Sequence, residues 1–202
     1  MSKINIFTTE NKYDIVLADP PWKYYGDPNK MAAAGKHYLL MDLEEICNIP
    51  VKELIHPNSV VFLWTTSVFV EDSIKVLNAW NCFYRGVAFV WIKTKFDGTP
   101  IGAQGVRPSI TKPLTEFVLV GSPVAKGRPL KLHSESVMQT IFAPRKKHSQ
   151  KPEECQERIS ELYPGTTKLE LFARRELYGW DAMGFDIDGC DIRERIDESV
   201  TL

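Results

Sequence analysis

The sequence predicts an α/β domain built on a mainly parallel, doubly wound sheet. Three observations carry this. Short apolar runs with strand character alternate with segments whose apolar residues recur at helical spacing; the alternation contains no internal repeat or low-complexity tract; and 202 residues at 44% hydrophobic composition suffice for one sizeable core. In such sheets ligands collect beyond the carboxyl ends of the strands, so the residues that close each strand are where chemistry is sought.

Taken in order, Tyr13–Ala18 reads as a buried strand, and Asp42-Leu43-Glu44-Glu45 has the form of a capping box opening a short helix that Pro50 interrupts. Residues 60–64 form a second strand. Val70, Ile74 and Leu77 share one face, which predicts a helix over about residues 69–80. Strands follow at 86–92, 115–120 and 137–143. Pro152 with Glu153 and Glu154 makes a favourable helix start, Cys155, Ile159 and Leu162 form its apolar face, and Pro164-Gly165 ends it. The last strand is 168–172. These elements place one domain at 1–187 and a charged, weakly periodic tail at 188–202, left open between a short helix and disorder. Residues 24–41 and 94–113 are too long and too rich in glycine and proline for plain connectors, and are read as flaps bracketing a substrate.

A formal net charge of −1 excludes a protein that grips a polyanion with its whole surface. Three local basic clusters remain: Lys93, Lys95, Arg107 and Lys112; Lys126, Arg128 and Lys131; and Arg145, Lys146, Lys147 and His148. Cys47, Cys82, Cys155 and Cys190 form no C-x-x-C pair and the four histidines show no ligand spacing, so no metal is expected. The absence of a leader or a long apolar stretch leads to the expectation of a cytoplasmic protein with no membrane partner.

The chemistry concentrates in Asp19-Pro20-Pro21-Trp22, directly after the first strand. Two successive prolines stiffen the loop and remove two backbone donors, leaving carbonyls to accept hydrogen bonds from elsewhere. Asp19 is an acceptor-only carboxylate, and Trp22 offers a flat surface for a planar ring. The set suits an aromatic amine such as adenine, its two N–H groups meeting Asp19 and the Pro20 carbonyl while Trp22 stacks on the ring.

With this loop, Val61-Phe62-Leu63-Trp64-Thr65-Thr66, Val90-Trp91-Ile92-Lys93-Thr94, Glu116-Phe117-Val118-Leu119-Val120-Gly121, Ser149-Gln150-Lys151-Pro152-Glu153-Glu154 and residues 164–174 occur in an order that resembles the DPPW-type adenine-N6 methyltransferases. That family includes the catalytic subunit of the messenger-RNA methyladenosine writer and bacterial and phage DNA adenine methyltransferases. The resemblance implies a Rossmann-like methyltransferase sheet in permuted order, the catalytic strand preceding the cofactor strand. It also implies S-adenosylmethionine as methyl donor and adenine N6 in nucleic acid as acceptor. DNA is favoured over RNA because the chain is compact and shows no zinc fingers or added RNA-binding modules.

The alternatives are an RNA adenine-N6 methyltransferase, a catalytically silent nucleic-acid-binding partner subunit, and a small-molecule or protein N-methyltransferase; a homodimer or a partner subunit is allowed for. Asp19, Pro20, Pro21 and Trp22 are the implied catalytic loop. Tyr24, Tyr38, Lys93 and Arg107 are candidates for substrate contact, with Tyr25 beside them. Asp19, Lys126, Glu170, Arg174 and Asp186 are candidates for the methyl donor, Lys126 for its carboxylate and Arg174 and Asp186 for its ribose or adenine, together with backbone near residues 4–7. Trp64 and Trp91, inside strand patterns, are read as core. Ala173, Glu176-Leu177 and Phe185 depart from the messenger-RNA enzyme's pattern, which implies a donor pocket altered in detail.

Overall fold

The computed structural model describes residues 5–8, 10–23, 40–101, 110–146 and 150–200. Seven strands among these residues form one sheet: β1 (Tyr13–Ala18), β2 (Ile55–Thr65), β3 (Phe83–Thr94), β4 (Thr115–Ser122), β5 (Thr140–Pro144), β6 (Lys168–Leu171) and β7 (Asp181–Met183). Their spatial order is β5-β3-β4-β2-β1-β6-β7. β1 pairs in parallel with β2 and β6, β6 with β7, and β3 with β5, while β4 runs against both β2 and β3. The expected mainly parallel α/β sheet is present, with one reversed strand.

The helices are α1 (Leu43–Cys47), α2 (Val51–Leu54), α3 (Val70–Ala79), α4 (Glu154–Leu162), α5 (Phe185–Asp188) and α6 (Ile192–Val200). The capping box forms as read: the Asp42 carboxylate accepts from the Glu45 amide at 3.0 Å, and Glu45 Oε2 accepts from the Asp42 amide at 2.8 Å. Pro50 divides α1 from α2. The tail resolves as α6, whose Ile192 is buried against the main core.

Alternation along the strands packs both faces. Val16, Ala18, Val61, Leu63, Leu119, Leu169 and Leu171 face a core closed by α1, α2, α3 and α6, while Ile15, Leu17, Phe62, Trp64, Phe89, Trp91, Val118 and Ile141 face one closed by α4. Trp64 and Trp91, read as core, meet edge to face at 6.3 Å.

Four elements differ notably from the sequence reading. β2 begins five residues early: Tyr13 pairs with Ile55 but Ile15 with Val60, so Pro57-Asn58-Ser59, which reads as punctuation, is taken up as a bulge. β5 starts at Thr140 rather than Val137, because Gln139 binds β3 through both its carbonyl and its side chain while Met138 stands exposed. β7 and α5 were not anticipated, since three-residue pairing carries no readable period.

The topology brings the carboxyl ends of β1, β2, β3, β5, β6 and β7 to one edge, together with the start of the reversed β4. Residues that follow β4 emerge at the opposite edge.

Candidate active site

Asp19 follows β1 at that edge, and its amide donates to the Leu171 carbonyl of β6 at 3.4 Å. Its carboxylate accepts from Lys151 Nζ at 2.8 Å. Lys151 also pairs with Glu116 Oε2 at 3.3 Å, and Glu116 Oε1 pairs with Lys93 Nζ at 2.5 Å. The result is a row of alternating charge, Asp19–Lys151–Glu116–Lys93, drawn from four segments. It rests on indole faces, with Lys151 5.5 Å from the Trp64 ring and Lys93 5.1 Å from the Trp91 ring.

Burial works against charge on Lys151, yet the Asp19 and Glu116 carboxylates outweigh it and hold the ammonium above its ordinary pKa. Burial likewise opposes charge on Glu116, but Lys151 and Lys93 pull its pKa below the usual range. At Asp19 burial wins and moves the carboxyl upward, with Lys151 opposing.

A cavity of about 540 Å³ opens beside Asp19, within the range for cofactor sites. Leu17, Trp64, Pro152 and Phe172 supply its apolar walls, and Asp19, Lys151, Glu170, Arg174, Arg175 and Asp186 its charges. A smaller recess of about 60 Å³ lies beyond, lined by Pro20, Pro21, Met41, Phe185 and Ile192, and shares Asp19, Phe172, Arg174 and Asp186 with the first. Phe172, lining both, has φ 63°, a left-handed backbone that a bulky side chain rarely adopts. Such strain concentrates where a site requires a particular placement.

Gly184 sets how closely two walls approach. A Cβ there would lie 2.2 Å from the Ala173 carbonyl oxygen and 2.6 Å from its nitrogen. Only a bare backbone lets the segment carrying Asp186 lie against the one carrying Arg174, whose side chains stand 3.9 Å apart. Gly184→Ala is expected to lower stability by about 1–3 kcal/mol in a denaturant titration, the cost of overpacking; an unchanged midpoint would show that the two segments separate freely.

Of the residues singled out from sequence, Asp19, Glu170, Arg174 and Asp186 line one cavity. The other candidates lie away from this cavity or are already engaged by neighbours. Lys126 is exposed beyond β4 at the opposite edge and lines neither recess, because β4 is the reversed strand. Trp22 is not a free stacking surface: it is 9% exposed, stacks on Phe69 at 5.3 Å and donates from its indole N–H to the Trp64 carbonyl at 3.2 Å, which anchors the loop. The proline carbonyls already serve the loop: Pro20 accepts from the Trp22 amide at 2.9 Å and Pro21 from the Met41 amide at 3.0 Å, so Pro20 keeps one lone pair for a ligand. Lys93 is tied to Glu116 rather than extended toward a substrate. Tyr24, Tyr25, Tyr38, Arg107, Lys147 and His148, with residues 24–39 of the first flap segment and 102–109 of the second, lie outside the described residues.

Lys151, Glu116, Gln156 and Arg175 carried no assigned role in the sequence reading. Two left signals: Lys151 immediately precedes the proline that starts a helix, and Glu116 is a carboxylate leading an apolar strand. Among the described residues no cluster of histidine, cysteine and carboxylate side chains has the makings of a metal site, and no helix is long and apolar enough to cross a membrane.

A family model described as MT-A70 matches residues 13–186. The chain is 30% identical over 194 residues to the Type II methyltransferase M.MunI of Mycoplasma sp, covering 87% of this chain and 78% of that protein. It is 32% identical over 182 residues to the N(6)-adenosine-methyltransferase catalytic subunit METTL3 of Homo sapiens, covering 88% of this chain and 29% of that protein. It is 30% identical over 186 residues to the N(6)-adenosine-methyltransferase MT-A70-like protein of Drosophila melanogaster, covering 90% and 28%. The chain thus spans less than a third of the length of these last two relatives.

Proposed function

Because this chain belongs to the MT-A70 family, matched over residues 13–186, and places Asp19 on the rim of a charged cavity, we propose that it methylates the exocyclic N6 amine of adenine in nucleic acid, with DNA the favoured polymer. The methyl donor is S-adenosylmethionine, which supplies an electrophilic methyl group on a sulfonium. The donor set fits that molecule: Lys151 offers a cation to its carboxylate, Asp186 and Arg174 offer polar partners to its ribose, and Leu17, Trp64 and Phe172 offer apolar walls to its adenosine.

Asp19 carries the reading. An adenine amine is a poor nucleophile because its lone pair is delocalised into the ring. The Asp19 carboxylate, with the remaining lone pair of the Pro20 carbonyl, accepts its N–H groups and turns the nitrogen toward the cavity. The bond to Lys151 and the rigid proline pair hold that carboxylate in place before any ligand arrives, so little reorganisation is left for the reaction itself. The ring of Trp22, packed beneath, fixes the loop.

The topology supports a polyanionic substrate. Lys95, Lys112, Arg145 and Lys146 are exposed at the edge where Asp19 lies, beside the mouth of the site. The preference for DNA is supported by the likeness to the type II methyltransferase, 30% identical and matched over 78% of its length. The permuted order that the resemblance implies, with β1 preceding the strand that carries the donor contacts, belongs to the same proposal, with β6 as that strand.

The test is to incubate the protein with S-adenosylmethionine and, separately, unmethylated DNA and RNA, then digest to nucleosides and quantify N6-methyladenine by mass spectrometry. Methyladenine in DNA is the expected result. Its appearance in RNA alone overturns the polymer preference, and its absence from both, with folded protein, overturns the reading in favour of a subunit that needs a partner.

A further inference from the structure

The charges lining the large cavity do not balance in pairs. Lys151 is shared by Asp19 and Glu116, Arg175 Nη1 pairs with Glu153 at 2.5 Å, and Arg174 faces Asp186 at 3.9 Å. Glu170 has no such cation: among the described residues its one hydrogen-bond partner is the amide of Gln156, whose Nε2 donates to Glu170 Oε2 at 2.5 Å. Glu170 sits opposite Leu17 in the β1–β6 register, so its side chain emerges on the same face as that of Asp19, two residues along.

Gln156 is itself held. It is 4% exposed on α4, and its Oε1 accepts from Arg175 Nη2 at 3.2 Å. An arginine only donates, so the oxygen end of the amide faces Arg175 and the NH₂ end faces Glu170. A carboxyl group is thereby presented to the cavity in one fixed orientation, without a counter-ion of its own.

We propose that Glu170 receives the positive charge that S-adenosylmethionine brings, on its α-ammonium or its sulfonium, and that this donor binds with expulsion of one proton from the Glu170 carboxyl to solvent. The inference rests on the donor assignment made above. Burial pushes the Glu170 carboxyl up to about 7, and the neighbouring Asp19 charge adds to this, while Arg175, the Gln156 amide and Lys151 oppose it. These groups face it from the end of β1, from α4 and its lead-in, and from the segment after β6; Cys155 of α4, Arg174 and Asp186 line the same cavity. A protonated Glu170 is neutral and attracts no cation, so binding selects the ionised form. Affinity for the donor therefore falls about tenfold per pH unit below the Glu170 pKa and levels off above it.

Isothermal titration calorimetry of S-adenosylmethionine into the purified protein, at about pH 6 in two buffers of different ionisation enthalpy, counts the protons released. Close to one proton per donor is expected at that pH, where the α-amino group, with a pKa of about 8, stays charged; Glu170→Gln is expected to release none and to bind with an affinity that does not change between about pH 5.5 and 7. Titration with S-adenosylhomocysteine, which keeps the ammonium and lacks the sulfonium, separates the two sources: release with both ligands assigns the ammonium, release with the sulfonium compound alone assigns the sulfonium. Tight binding without proton exchange, or unchanged release in Glu170→Gln, overturns this inference and leaves the methyltransferase reading standing. Failure of both ligands to bind overturns both.

Discussion

Asp19→Asn is expected to reduce methyl transfer by at least about 100-fold while leaving the fold intact. The substitution keeps the shape of the side chain and removes only its charge and one acceptor. The amide oxygen can accept from Lys151 Nζ, now 2.8 Å from a carboxylate oxygen, or from the incoming adenine N–H, and the NH₂ end then opposes whichever donor is left. Removal of one preorganised acceptor aimed at a reacting group costs about 10²–10³ in rate where such groups have been deleted elsewhere. The stability cost is smaller, because Lys151 keeps Glu116 as a partner. Nucleoside mass spectrometry gives the rate, and near-ultraviolet circular dichroism checks the fold. Turnover within threefold of the parent would remove Asp19 from the mechanism.

Lys151→Met has the larger structural effect. The lysine stands between two carboxylates, and its loss leaves Asp19 and Glu116 facing each other with Lys93 alone on the far side. Breaking a buried pair from one side costs about 3–5 kcal/mol at neutral pH, because a charge is left without compensation.

The penalty depends on pH, and its sign follows from proton linkage. In the parent the Glu116 pKa is depressed, so its contribution to stability is present above the unfolded-state carboxylate pKa and is lost as pH falls through the folded value. In the variant, burial and mutual repulsion raise the folded-state pKa values of the two acids. Their contribution is then fully present below the unfolded pKa and is lost as pH rises through the folded values. The difference between parent and variant is accordingly greatest near pH 7 and narrows toward pH 5. Urea denaturation at both pH values measures it; a difference below about 1 kcal/mol that does not change with pH would show that the row of charges is loosely coupled. Donor binding is also expected to weaken, since Lys151 is the cation nearest Asp19 in the cavity.

Much of the site was legible in the sequence because its residues close strands. Asp19 after β1, Arg174 after β6 and Asp186 after β7 lie at one sheet edge by virtue of parallel pairing, and an alternation of strands and helices already implies that pairing. Lys126 shows the limit of the same logic. It too follows a strand, but β4 is reversed, and an eight-residue apolar run reads the same in either direction. That one reversal sends Lys126, Arg128 and Lys131 to the far edge and brings Glu116, at the beginning of β4, to the site.

Trp22 marks a second limit. An indole beside a catalytic loop suits stacking on a base and suits packing on Phe69 equally well, since both exploit the same flat apolar surface. Partner identity, not residue type, decides between them, and Phe69 lies 47 positions away in the chain. Gln156 is more elusive still. A glutamine on the apolar side of a short helix carries no sign of its function until Arg175 and Glu170 are seen at either end of its amide.

By itself the sequence determined what depends on neighbours in the chain: the periodic elements, the capping box at Asp42, the stiff Asp19-Pro20-Pro21-Trp22 turn, and membership of a family carried by ordered local motifs. Only the tertiary structure decided what depends on direction and juxtaposition. The reversal of β4, the sharing of Lys151 between Asp19 and Glu116, and the exposure of Glu170 to a cavity without a cation of its own arise from segments as much as 132 residues apart. Short-range propensity acts through covalent connection and is written in adjacent residues, whereas charge pairing and close packing act through space, and contacts of that kind exist only once the sheet has been assembled.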